Sequence, residues 1–180
     1  MPLAVTHVIL TIVLIDLYRD YFSKLKFPTF FVLIGGIAGL LPDMDIPIGW
    51  ITGLILQEPV WFHRTYTHAF IFPIAFTIIA FAIHRVIKKK KYTLFGRKIR
   101  KDYTVLFFAM LAAGWMIHIL LDGFLGGPEQ LSWIPVIAPI ISFPAMTVSL
   151  DIYRAAALDA TILVLWLAHE EFAHRIKDYI

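Results

Sequence analysis

The stretch YTVLFFAMLAAGWMIHILLDGFL, residues 103–125, decides how this chain is read. Its one charged residue is Asp122. At about 1.5 Å per residue a helix of this length crosses a hydrocarbon core of about 30 Å. Near its end His118 and Asp122 stand four apart and share one helical face. On insertion scales an ionisable group at the bilayer centre costs about 2.5–3.5 kcal/mol, so such a pair calls for mutual pairing, water or a cation.

The rest of the chain agrees with a membrane solvent. Its 180 residues are 59% hydrophobic and only 16% charged, with a mean hydropathy of +0.77, far from the average soluble domain. The start, MPLAVTHVIL, has no basic n-region and no small-residue cleavage site follows, so it is expected to remain as a helix. Five apolar segments are expected to span: Leu3 to Tyr18, Phe30 to Leu41, Ala69 to Ile87, Tyr103 to Leu125 and Ala155 to Ala168. The third and fourth are full length; the first two offer about 12 to 16 residues, roughly 18 to 24 Å. A sixth stretch, Trp133 to Leu150, carries Pro135, Pro139 and Pro144 and reads as a broken or re-entrant segment. The expected fold is thus an all-α, polytopic helical bundle, residues 1–180 forming a single integral membrane domain.

Basic residues orient it. Arg19, Lys24 and Lys26 follow the first span, Arg85, Lys88 to Lys91, Arg97, Lys98, Arg100 and Lys101 lie between the third and fourth, and Arg175 and Lys177 end the chain. With five spans, only Arg64 and Arg154 fall on the other side, so the basic loops and C-terminus are expected to be cytoplasmic and the N-terminus non-cytoplasmic. The net charge of +3 therefore reports topology at a lipid bilayer and not a nucleic-acid partner. Oligomeric state has no signature in the sequence.

This topology collects the ionisable residues on the non-cytoplasmic side: His7, Asp43 and Asp45 in LPDMD, His63 and His68 in HRTYTH, and His118 with Asp122. Cysteine is absent, which leaves imidazole and carboxylate as metal-binding chemistry. Asp43 and Asp45, two apart, point the same way if the segment after Pro42 is extended. His63 and His68, five apart, reach one site only if His63 precedes the helix; Thr65 or Thr67 is a candidate cap. Gly114 lies one turn before His118, and Gly35 and Gly39 form a small-xxx-small pair, so backbones can approach closely there. Each residue also has a plainer reading: a hydrogen-bonded pair tying helices for His118 and Asp122, a turn carboxylate for Asp43, an interfacial ring for His7.

At these residues the chain resembles the membrane-bound metal-dependent hydrolase family, small integral membrane proteins also described as a domain of unknown function. Thr6-His7, Leu41-Pro42-Asp43-Met44-Asp45, His63-Arg64-Thr65-Tyr66-Thr67-His68 and His118 to Asp122 follow that family's motifs in order, with Ala69 in place of its usual Ser. The resemblance implies a metal-dependent hydrolase, similar in ligand order to the helical zinc phospholipase C and nuclease fold.

The expected ligands of one or two divalent ions are Asp45, His68, His118 and Asp122, with His7, Asp43 and His63 completing a second site. Zinc leads by ligand type; manganese and iron suit the same set. Water activated there attacks an ester or phosphoester, with Asp43 relaying protons and Arg64 clamping the anion. Short spans place the pocket near the headgroups, which favours a lipid-like substrate. Two other classes fit the composition: an ion- or proton-handling transporter, and a structural membrane protein with a stabilising metal. Asp159 is read as supporting the site or as neutralised by Arg154. The run His169-Glu170-Glu171-Phe172-Ala173-His174 is set aside as an amphipathic tail, because its histidines are five apart and on the cytoplasmic side. The five tryptophans are read as interfacial anchors.

Overall fold

The computed structural model describes residues 4–24, 27–58, 67–88, 91–94, 97–125 and 152–174. Among the described residues there are six α-helices: α1 (Ala4–Leu17), α2 (Phe30–Ala38), α3 (Asp45–Leu56), α4 (Ile71–Val86), α5 (Lys101–Leu125) and α6 (Ile152–His174). A π-helical turn, Tyr18–Phe22, extends α1, and a 3-10 turn, Leu41–Met44, precedes α3. The class is all-α, as expected, with one short antiparallel hairpin of β1 (Lys91–Leu94) and β2 (Arg97–Arg100), Lys91 opposite Arg100, among the described residues. It occupies the basic loop between α4 and α5. The expected broken segment at 133–150 lies outside the described residues.

Consecutive helices α1 and α2, and α4 and α5, pair with each other, and α2 with α5 and α1 with α6 pair across the chain. Antiparallel α4 and α5 pack through Phe72 stacked on Trp115 at 4.8 Å, with Phe76 beside both Phe108 and Trp115. Next to them α2 runs parallel to α5, from Phe31 against Tyr103 at one end to Gly39 against His118 at the other. α1 packs on α2, and α6 lies along α1 in the same direction, Trp166 reaching Asp16 and His169 reaching Tyr21. The core between α1, α2 and α5 gathers Ile15, Phe27, Phe31, Val32 and Met110.

Two close approaches hold this arrangement. A Cβ on Gly114 would clash with the Gly35 carbonyl oxygen and sit 2.7 Å from Ala38 Cβ. A Cβ on Gly39 would meet Thr11 Oγ1 at 2.8 Å. Glycine at both lets three helix backbones meet, as the small-residue spacing predicted.

Outside this core, large apolar side chains face outward, including Leu54, Ile55, Ile78, Val164 and Leu165. Such a surface suits lipid and not water. By length and hydropathy, Lys101–Phe124 is long enough to cross a membrane, and α2 with Leu41–Leu56 qualifies as a pair bent by 48°. The described helices therefore account for one full crossing, or two with the bent pair, and do not establish five. α1 has only 14 residues and α4 only 16, so the expected full-length third span is short. LPDMD is helical and not extended. Pro42 sits in the first turn of the 3-10 helix and Pro47 in the first turn of α3, where a missing N–H leaves no intrahelical bond unmade.

Candidate metal centre

α5 supplies the fixed side of the site. His118 and Asp122 leave the same face one turn apart, and both are buried. The His118 ring is oriented from behind: its Nδ1 donates to the Gly39 carbonyl at 2.7 Å. That bond is possible because the glycine contacts bring the end of α2 against α5. It assigns the proton to Nδ1 and leaves Nε2 with its lone pair facing inward.

His68 approaches from the turn before α4. Its loop is fastened by Trp115, whose indole N–H donates to the Thr67 carbonyl at 2.9 Å. Trp115 is therefore a buried structural residue and not an interfacial anchor. Thr67 does not cap α4; its hydroxyl donates to Asp45 Oδ2 at 2.6 Å and lies 3.1 Å from His68 Nδ1. Having given its proton to Asp45, the hydroxyl accepts from His68 Nδ1, so this ring too turns its Nε2 lone pair to the centre. Asp45 Oδ2 stands 3.7 Å from Nδ1, behind the ring.

The two Nε2 atoms are 3.1 Å apart. Asp43 Oδ1 lies 3.5 Å from each. Asp122 Oδ2 lies 3.3 Å from that of His68 and 3.7 Å from that of His118. Four acceptor atoms thus converge, and with both rings neutral none supplies a proton. Such a donor set fits a divalent cation, since ligands to metal are deprotonated carboxylates and neutral imidazoles. Burial disfavours charge on His68, but the hydrogen-bonding carboxylates of Asp122 and Asp43 outweigh it and hold its imidazole above the ordinary histidine value.

His7 completes the enclosure from α1. It is 1% exposed, stacks on His118 with centroids 3.9 Å apart, and places Nε2 3.3 Å from Asp122 Oδ1. Two overlapping groups, His68 with His118 and Asp122, and His7 with Asp43 and His118, each bring ligand atoms within 4.8 Å of one another. Of the expected site residues, His7, Asp43, His68, His118 and Asp122 come together. Asp45 joins them from behind His68, while His63 and Arg64 lie outside the described residues. Asp159 is buried, with Oδ1 lacking a hydrogen-bond partner among the described residues.

Outward-facing apolar helices around an internal His and Asp centre define a membrane protein with a buried polar site. The chain belongs to the YdjM inner membrane protein family, whose sequence model matches residues 1–176. No curated protein and no solved structure matches it.

Proposed function

We propose that this chain is a membrane metal-dependent hydrolase that cleaves an ester or phosphoester in a lipid-like amphiphile. The observation that carries the reading is the meeting of His68 Nε2, His118 Nε2, Asp43 Oδ1 and Asp122 Oδ2 with no donor among them. The resemblance in motif order supports it, and so does the placement of the centre among helices with apolar outer faces.

Bound there, a divalent ion, zinc by ligand type with manganese or iron as alternatives, would supply Lewis-acid chemistry and an acidified water. His68, His118 and Asp122 would hold it, and His7 with Asp43 would hold a second ion or add to the coordination of the first. Asp43 has the most accessible side chain of the inward carboxylates, 17% exposed against 7% for Asp122. It faces substrate and accepts the proton. Asp45 acts as a positioning residue: through Thr67 and Nδ1 it fixes the His68 ring. Arg64 clamps the anionic group. The basic loop orients the centre to the non-cytoplasmic side.

The test is metal analysis of purified full-length protein beside His68→Ala and Asp122→Asn, with the same preparations assayed on ester and phosphodiester amphiphiles. Stoichiometric metal in wild type, its loss in both variants and metal-dependent turnover are expected. Wild type without metal, or variants that keep it in full, sink the proposal. Bound metal with no turnover removes the hydrolase and leaves a structural centre.

A further inference from the structure

The end of α5 away from the metal centre borders a recess of about 630 Å3, within the range of about 300–1,000 Å3 usual for small-molecule sites. Its apolar walls are Phe27 and Pro28 ahead of α2 and Val105 and Leu106 on α5; His84, Arg100, Asp102 and Tyr103 supply its polar groups. None of them belongs to the metal centre. Tyr103 and His118 are about 22 Å apart along α5 at about 1.5 Å per residue. Since α5 is long enough to cross the bilayer, the recess and the metal centre lie toward opposite faces of it.

Charge around the recess has one dominant sign. Residues 85–101 include nine Lys or Arg and no acid. The hairpin sets Lys91 directly opposite Arg100, a like-charge pair that destabilises a sheet and that an anion beside both would relieve. α2 and α5 run parallel and both begin here, so the positive ends of their dipoles face this side. Lys101 Nζ donates to the His84 carbonyl and ties the end of α4 to the start of α5. Asp102 is the one acid in the lining. It lies 3.5 Å from an Arg100 guanidinium nitrogen, and the Tyr103 ring centroid lies 4.6 Å from the same guanidinium. A guanidinium has five N–H donors, so these two contacts position Arg100 without exhausting it.

The walls distinguish a lipid from a soluble anion. A free anion would use only the cationic rim, whereas the apolar side of the recess continues onto helices with outward Phe30 and Leu33 on α2 and Phe107 on α5. A cationic rim above an apolar wall matches an anionic amphiphile held in the bilayer. We propose that the recess binds an anionic phospholipid, with Arg100 and His84 at its phosphate and the apolar wall along the upper part of its acyl chains. The site is independent of hydrolysis at the metal centre.

The experiment titrates purified full-length protein in neutral detergent with phosphatidylglycerol or phosphatidylcholine, reading thermal unfolding and lipid retained in native mass spectrometry. Phosphatidylglycerol is expected to raise Tm and to remain bound as one molecule, and phosphatidylcholine to do neither. Arg100→Gln should weaken phosphatidylglycerol binding about fivefold or more, given about 1 kcal/mol per basic residue near anionic lipid. Arg85→Gln removes the same charge from a residue outside the recess, and should change binding less. Leu106→Trp, which fills the recess and keeps every charge, should also weaken binding; where it fails to fold, His84→Gln takes its place. Equal response to the two lipids, equal weakening by Arg100→Gln and Arg85→Gln, or an equal rise in Tm with inorganic phosphate alone overturns the lipid site.

Discussion

His68 and His118 face each other Nε2 to Nε2 at 3.1 Å, and each ring gives its proton away from the other, to Thr67 Oγ1 and to the Gly39 carbonyl. At a pH above the raised pKa of His68, where both rings are neutral, this geometry sets acceptors against one another in the empty centre and suits a cation in the filled one, which predicts a sign reversal. In metal-free protein, Asp122→Asn replaces one of four crowded acceptors with an amide that can donate. Stability should rise by about 0.5–1.5 kcal/mol, the usual net worth of a hydrogen bond. In metal-loaded protein the same change removes a ligand and should lower stability. Thermal unfolding of both proteins, with chelator and with Zn2+, checks this; the same sign in both conditions would contradict it.

Asp45 separates a positioning role from a ligating one. Its carboxylate takes the Thr67 proton at 2.6 Å and lies on the Nδ1 side of His68, away from the converging lone pairs. Loss of such outer support typically weakens metal binding about 10–100-fold. Asp45→Ala is therefore expected to bind metal in that reduced range, while His68→Ala loses stoichiometric metal altogether. Competition against a chromogenic chelator measures both. Equal loss in the two variants would return Asp45 to the ligand set.

Much of the centre is legible in the sequence because its signals are local. The uncharged run through α5 announces a long helix, the four-residue spacing puts His118 and Asp122 on one face, and Gly35, Gly39 and Gly114 mark where backbones meet. The remainder depends on contacts between distant segments. LPDMD looks like a helix stop because of Pro42, yet proline in a first turn starts the next helical segment equally well. Trp115 has the composition of an interfacial anchor, and only the Thr67 carbonyl opposite its indole shows it to be internal. Tyr21, which meets His169, lies near the opposite end of the chain, so no spacing rule within α6 could find it.

Proton competition gives the centre a pH dependence with a definite sign. Metal binding requires His68 unprotonated, and its carboxylate neighbours raise its pKa above the ordinary histidine value. A proton therefore begins to displace the ion at a higher pH than for an unperturbed imidazole, and affinity should fall as pH is lowered through neutrality. Zn2+ affinity measured across that range checks the trend. Removing the carboxylate in Asp122→Asn takes away one support for the protonated ring, so whatever binding remains should hold to lower pH. Affinity that stays flat as pH falls through that window would show that His68 is not a ligand.

Gly114→Ala tests whether the close approach of α5 to α2 serves the site as well as the fold. The added methyl would strike the Gly35 carbonyl and crowd Ala38 Cβ at 2.7 Å and Gly39 N at 2.9 Å, all parts of a neighbouring helix and its end. Backbone cannot rotate away as a long side chain can, so α2 and α5 must separate. Overpacking of this kind costs about 1–3 kcal/mol, more than the gain of up to about 1 kcal/mol from alanine's better helix propensity. The same displacement pulls Gly39 from His118 and lengthens the 2.7 Å bond that fixes the ring. Reduced Tm and weaker metal binding should therefore appear together in one variant that touches no ligand. A drop in Tm with metal affinity intact would mean that the glycine contact supports the fold without tuning the centre.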